Sequence, residues 1–451
     1  MKIGVLPLYI QLYEECAPAY HDPAQRAADA AADALRKCGF EVECARLCHV
    51  ASEISAAVRK FEADGCQVLV TLHAAYSPSL EAVETLAATD LPIVVFDTTP
   101  DAEFGFDFGG KLMLNHGIHG VQDMCNMLLK RKKRFVIRAG HVGDAEFMAR
   151  MKQAVLSAAA AYRMTHARVG DVGGVFNGMG DFQVPEGTFG MTVVPYVDDP
   201  AYAPAAAEVA AEVEKDRKDF VFSPDLPEDI HRLTVENGLR LRNWIAARKL
   251  DAFTVNFLGC GPEIGFGNVP FLECSKAMAH GVGYAGEGDI LTALFCGALM
   301  LSAPETTFSE MFCPDWSGNR IFLSHMGEMN LALMDRRPYL APRKWKFGNG
   351  KDIAVATGCL KAGRALLANL APGADGKFTL IAAQVEMTAQ HDTALTDMRG
   401  WMTPPGNIPV AEFLEAYSRL GGTHHLVLSY DGDLRSAADL AHLMGWEFRE
   451  I

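Results

Sequence analysis

The chain has 451 residues, 49% hydrophobic and 22% charged, an ordinary globular composition with room for two or three domains of roughly 100–200 residues each. A net charge of −15 excludes a generally basic, nucleic-acid-coating surface, because that mode of binding needs clustered cations. Eleven cysteines without a Cys-x-x-Cys pair exclude an all-thiolate zinc site and read as reduced thiols of a cytoplasmic protein.

The first residues carry one charge and a short apolar run without a small-residue cleavage site, so they read as a strand over Lys2–Leu8 and not as a signal peptide. An alanine-rich amphipathic helix is expected over Pro23–Cys38, stopped by Gly39, and a strand over Phe40–Ala45. Helix Ala51–Ala63, strand Gln67–Leu72, helix Pro78–Ala88, strand Leu91–Phe96 and a long helix within Phe108–Lys130 continue the alternation. Regular strand–helix alternation predicts a doubly wound parallel sheet, here a Rossmann-like domain over residues 1–133. Such sheets bind ligands at the carboxyl ends of their strands, which draws attention to the loops after Leu8, Leu72 and Phe96. The basic run Lys130-Arg131-Lys132-Lys133-Arg134 reads as a solvated helix end whose cations complement the helix dipole.

A second α/β domain is expected over 134–303. It opens with a strand at Arg134–Arg138 and continues with helix Ala145–Ala161, a glycine- and turn-rich stretch Arg168–Gly187, helices Ala201–Glu214 and Pro227–Ala247, strand Ala252–Phe257 and helix Phe271–His280. Its last segment, the apolar run Ile290–Ala303, is too short for a membrane span of about 20 residues. From 304 to 451 the pattern becomes β-rich, with strands at Asp352–Thr357, Phe378–Glu386 and His425–Ser429 and helices at Val410–Arg419 and Ser436–Met444. The fold class is therefore α/β: two doubly wound parallel-sheet domains followed by a β-rich domain.

Four stretches place ionisable side chains at element edges beside glycines or apolar residues. They are Gly286-Glu287-Gly288-Asp289, Phe308-Ser309-Glu310, Leu323-Ser324-His325-Met326-Gly327-Glu328 and Gly421-Gly422-Thr423-His424-His425. Asp289 is placed to cap helix Ile290–Met300 through its carboxylate, while Glu287 reads as either a solvated turn residue or a functional one. Glu310 fits a paired core carboxylate or a ligand, and His325 a structural histidine or a ligand. Strand alternation expects only one of His424 and His425 to face a common site. Together the carboxylates and imidazoles suit a divalent ion such as Mn2+, Mg2+ or Co2+.

The segments "GYAGEGDILTALF", "TTFSEMF", "LSHMGE" and "GGTHHLVLS" resemble, in order and separation, four motifs of the L-arabinose isomerases, with the L-fucose isomerases as relatives of the same fold. Upstream, "IQLY", "FDFGGKLMLNHG", "GHVGD", "RVGD" and "FTVNFLG" are similar to further segments of that family. The resemblance implies that Glu287, Glu310, His325 and His425 hold one divalent ion, usually Mn2+, and that Glu287 and Glu310 form the acid–base pair. It implies sugar contacts for His116, Gln11, Tyr13 and Phe257, with His424 beside them. It further implies a small-molecule sugar substrate, no nucleic-acid or membrane partner, and a homo-oligomer, trimer or hexamer, in which His116 reaches across a subunit junction. The implied activity is aldose–ketose isomerisation of a pentose or hexose. A metal-dependent epimerase, an isomerase of an unusual sugar, or a non-catalytic sugar-binding protein are the alternatives. The family's Met-Glu-Asp-Tyr is here Ser309-Glu310-Met311-Phe312, so the metal set is retained while the sugar-facing set departs.

Overall fold

The structure, a computed structural model, describes residues 1–106, 109–390 and 397–451. It forms two compact units: Met1–Tyr162 with Asp439–Gly445, and Arg163–Ala438 with Trp446–Ile451.

In unit 1, β1 (Lys2–Leu8), β2 (Glu41–Cys44), β3 (Val68–His73), β4 (Ile93–Asp97) and β5 (Phe135–Ala139) make a parallel sheet in the order β2-β1-β3-β4-β5. Strands β1, β3 and β4 are almost wholly buried, as their unbroken apolar runs require when helices cover both faces. Leu6, Leu69 and Ile93 pack one face against Phe61, Leu86 and Met124 of the flanking helices. The expected boundary after residue 133 falls inside this unit. Strand β5 is hydrogen-bonded to β4, so it completes the first sheet instead of opening a second domain. The long helix expected within Phe108–Lys130 is divided into Leu112–Asn115 and Ile118–Lys130, and its expected first residue lies outside the described ones. The break falls where Gly117 backs onto His73; an added Cβ would lie 2.7 Å from the His73 carbonyl oxygen. The basic run is partly neutralised: Arg131 pairs with Glu84, and Lys133 reaches the Thr89 carbonyl.

Unit 2 continues with β6 (Arg168–Val172), β7 (Thr192–Pro195), β8 (Val221–Phe222), β9 (Ala252–Val255) and β10 (Gly283–Gly286). All but β8 form a second parallel sheet, in the order β10-β9-β6-β7. The last nine strands are β11 (Thr306–Asp315), β12 (Arg320–Ser324), β13 (Tyr339–Arg343), β14 (Ile353–Cys359), β15 (Gly363–Pro372), β16 (Phe378–Thr388), β17 (Met398–Thr403), β18 (His425–Ser429) and β19 (Glu447–Glu450). With β8 they build a ten-stranded, mostly antiparallel sheet, β19-β16-β15-β18-β11-β12-β17-β14-β13-β8. Its core gathers Leu323, Leu367, Val385 and Leu428 with Phe413 and Tyr417 of helix Val410–Arg419. The expected boundary after residue 303 also falls inside a unit. Helix Ile290–Ser302 is apolar on almost every side and packs on β9, β10 and β11 together, so it belongs to both sheets at once. No helix among the described residues is long and apolar enough to cross a membrane.

Candidate metal centre

The turn Gly286-Glu287-Gly288-Asp289 leaves the carboxyl end of β10. The Glu287 N–H donates to the Val255 carbonyl at the end of β9 (2.9 Å), and its own carbonyl accepts from the Phe176 N–H (2.9 Å) in the loop after β6. Three strand ends of the parallel sheet thus meet at Glu287, the position where such sheets bind ligands. Glu287 adopts φ of 64°, a left-handed conformation uncommon for a residue with a side chain, and it is buried, which excludes the solvated-turn reading.

Asp289 caps the following helix as expected: one carboxylate oxygen accepts from the Thr292 N–H at 2.8 Å. Its second oxygen accepts from His425 Nδ1 at 2.9 Å, and both side chains are fully buried. The antiparallel sheet supplies the remaining groups because β18, β11 and β12 are neighbours. Glu310 on β11 stands opposite His425 on one side and Ser324 on the other, and His325 follows Ser324 directly. His325 Nδ1 is held by Glu328 (2.9 Å), whose other oxygen accepts the Tyr284 hydroxyl at 2.7 Å.

These buried carboxylates determine how the imidazoles face. A carboxylate only accepts, so it calls for the proton on Nδ1 and leaves Nε2 as a ligand atom. This carboxylate–histidine arrangement is the one that orients metal ligands. His425 Nε2 is buried without a hydrogen-bond partner among the described residues and lies 3.5 Å from Glu287 Oε2. The orphaned nitrogen and the adjacent carboxylates fit a divalent cation. Gly286 is required by His325: an added Cβ would lie 2.6 Å from the ring Cε1.

His424 departs from the alternation argument. Strand β18 begins at His425, so His424 belongs to the preceding turn and both imidazoles reach Glu287. Its Nδ1 and backbone N–H both bind Asp181 (2.7 and 2.9 Å), and its Nε2 lies 3.7 Å from Glu287 Oε2. Donor atoms of Glu287, His424 and His425 all fall within 4.8 Å of one another. Phe182 stacks on His425 (5.1 Å between ring centroids), and Phe308 stands edge-on to both His325 and His425.

Burial pushes the Glu287 carboxyl up, but the imidazoles of His424 and His425 beside it outweigh burial and bring it down to about 2. Burial of Glu310 prevails over the nearby histidines and raises it. Burial works against charge on His425, yet Asp289 and Glu287 lift it to about 9. The carboxylates therefore favour positive charge at this place.

Phe257 joins an aromatic wall with Phe176, Trp345 and Phe347, at ring-centroid separations of 5.6, 6.0 and 5.3 Å. Gln11, Tyr13 and His116 lie in unit 1, where the Tyr13 hydroxyl and His116 Nε2 are 2.8 Å apart. Sequence reading assigned no role to Glu328, Asp181, Phe182 or Phe308. Glu328 and Phe308 had a signal, lying three residues beyond His325 and two before Glu310 in the same motifs.

Residues 305–447 match the family described as the L-arabinose isomerase C-terminal domain. Beyond that segment, the chain is 26% identical to the L-arabinose isomerase of Nocardioides sp. over 419 residues, 85% of this chain and 80% of that protein. It is 27% identical to that of Shouchella clausii over 413 residues (85% and 81%) and 24% identical to that of Cellvibrio japonicus over 404 residues (85% and 80%). Over most of its length this chain is similar to the L-arabinose isomerases. Its match to their C-terminal domain takes in Glu310, His325, Glu328, His424 and His425 and leaves Glu287 and Asp289 to the segment before it.

Proposed function

We propose that this L-arabinose isomerase relative is a metal-dependent aldose–ketose isomerase of an open-chain pentose or hexose. The observation that carries the reading is the pair of buried carboxylates, Asp289 and Glu328, that clamp Nδ1 of His425 and His325 beside Glu287 and Glu310. A sugar-binding protein without chemistry has no use for that arrangement.

Glu287, Glu310, His325 and His425 would hold the cation, Mn2+ before Mg2+ or Co2+ by the mixed oxygen and imidazole donors. When bound, the ion would supply Lewis-acid stabilisation of the negative charge that develops during isomerisation. Isomerisation moves one proton from C2 to C1 and one from the C2 hydroxyl to O1. Glu287, in the turn after β10, and Glu310, on β11, are brought together from the ends of two different sheets and would serve as the acid–base pair. One carboxylate takes the C2 proton while O1 gains a proton, which leaves a cis-enediol; loss of the O2 proton and return of a proton to C1 complete the ketose. General acid–base help of this kind contributes about 10²–10⁴-fold. The aromatic wall around Phe257 excludes water from the sugar. The enzyme would work as a homo-oligomer in the cytoplasm, with His116 reaching the sugar across a subunit junction and Gln11 and Tyr13 as further sugar contacts.

The test is a panel of aldoses assayed with Mn2+-loaded protein, beside Glu287→Gln and Glu310→Gln. Each variant should lose at least about 10²-fold in kcat with its fold intact by circular dichroism. Near-full turnover by either one refutes the acid–base assignment. Solvent deuterium should appear at C1 or C2 of the product, and complete retention of a substrate label would favour a hydride shift.

A further inference from the structure

A second group of ligand-type side chains lies in unit 1 and shares no residue with the centre above. Glu14 sits on the short helix Gln11–Cys16, His21 opens helix His21–Lys37, and His49 lies in the loop before helix Ala51–Ala63. One donor atom from each falls within 4.8 Å of the other two. Glu14 Oε1 is 2.7 Å from His21 Nδ1 and 3.0 Å from His49 Nε2. We infer that Glu14, His21 and His49 form a second divalent-cation site, of the kind zinc fills.

The hydrogen-bond arithmetic around His49 carries the inference. Its Nδ1 faces Glu53 Oε2 at 2.9 Å, and that oxygen also accepts the His49 backbone N–H at 2.8 Å. Its Nε2 faces Glu14, so a carboxylate stands against each ring nitrogen. A neutral imidazole has one N–H to give. With that proton directed to Glu53, the Nε2 lone pair of a neutral His49 and the Glu14 oxygen are two acceptors in contact. Either a second ring proton or a bound cation resolves the conflict, and the zinc titration below decides between them. Two carboxylates and two neutral imidazoles also leave a charge of −2, which one divalent ion cancels. Glu53 then plays for His49 the orienting part that carboxylates play behind metal-bound histidines.

A second observation points the same way. Tyr9 is fully buried, its ring stands edge-on to His49 at 5.7 Å, and its hydroxyl has no hydrogen-bond partner among the described residues. A zinc with three protein ligands completes its tetrahedron with water, and an unpartnered hydroxyl beside the cluster suits such a water. Tetrahedral zinc separates its ligand atoms by about 3.3 Å, so Glu14 Oε1 needs to part from His21 Nδ1 and from His49 Nε2 by about half an ångström or less. Two imidazoles and one carboxylate favour the later first-row metals over Mg2+ or Ca2+. The site would also fasten helix Gln11–Cys16, which has six residues, buries none of them and is too short to persist alone.

The experiment is zinc titration of the chelator-stripped full chain, followed by calorimetry, in a His325→Ala/His425→Ala background that disables the unit 2 centre. One zinc per chain should bind, Glu53→Gln should weaken it about 10–100-fold, and His21→Ala/His49→Ala should abolish it while circular dichroism stays unchanged. If the background does not fold, the same His21→Ala/His49→Ala change in the native chain should remove one zinc from the total, whatever that total is. This keeps the result separate from the fate of the isomerase reading. No zinc uptake in the folded background, or a zinc count that His21→Ala/His49→Ala leaves unaltered, overturns the inference.

Discussion

Asp289→Asn separates the two tasks that one carboxylate performs. The Thr292 N–H needs an acceptor, so the asparagine carbonyl takes the cap and its amide NH2 turns to His425 Nδ1. That nitrogen must then accept, which sends the imidazole proton to Nε2, the atom meant for the cation. A wrong-tautomer histidine with intact geometry is the expected product. The loss in Mn2+ affinity should be about 10–100-fold, or about 1.4–2.8 kcal/mol, with urea stability within about 1 kcal/mol of the parent. Asp289→Ala gives the contrast. It removes the cap, about 0.5–2 kcal/mol, and strands a buried imidazole N–H, about 1–3 kcal/mol, so it should destabilise the unit by about 2–5 kcal/mol. Calorimetric Mn2+ titration and urea unfolding of both variants decide the matter. If Asp289→Asn binds Mn2+ as tightly as the parent, the tautomer argument and the ligand role of His425 are refuted together.

Gly286→Ala puts a methyl group 2.6 Å from the His325 ring, so Mn2+ affinity and turnover should both fall while the far-ultraviolet spectrum is retained. In unit 2, Lys276 lies buried between Glu212 and Asp216, and Lys276→Met leaves Asp216 with His231 alone; urea unfolding should show a loss of about 3–5 kcal/mol. In unit 1, burial brings the His73 imidazole down to about 4. The unfolded chain therefore takes up the proton first as pH falls, and stability held above about pH 6.5 drains away towards pH 4, by about 3 kcal/mol. A pH series of unfolding free energies on the parent and His73→Phe should show that part of the slope only in the parent.

Helices Ala51–Ala63 and Val410–Arg419 were legible to the residue, because an amphipathic period and a terminating glycine act within one stretch of chain. Strands β6, β7 and β10 were not. They have five residues or fewer, β6 and β10 include glycines, and all three lean on neighbours in the sheet for their stability. Strands β15 and β17 were missed as well, their small and mixed side chains lacking a clean alternation.

The motifs by themselves determined which residue types are available: two glutamates and a set of histidines at element edges, on an α/β chain with a β-rich end. Only the tertiary structure decided what those side chains do to one another. Asp289 and His425 are separated by 136 positions, and nothing local to either tells of a bond between them. Likewise, the order β18-β11-β12 puts Glu310 between His425 and Ser324, and no periodicity within β11 encodes its neighbours. Hydrophobic pattern and turn chemistry act over a few residues. Strand order, imidazole orientation and burial are properties of the packed chain, and the candidate chemistry rests on them.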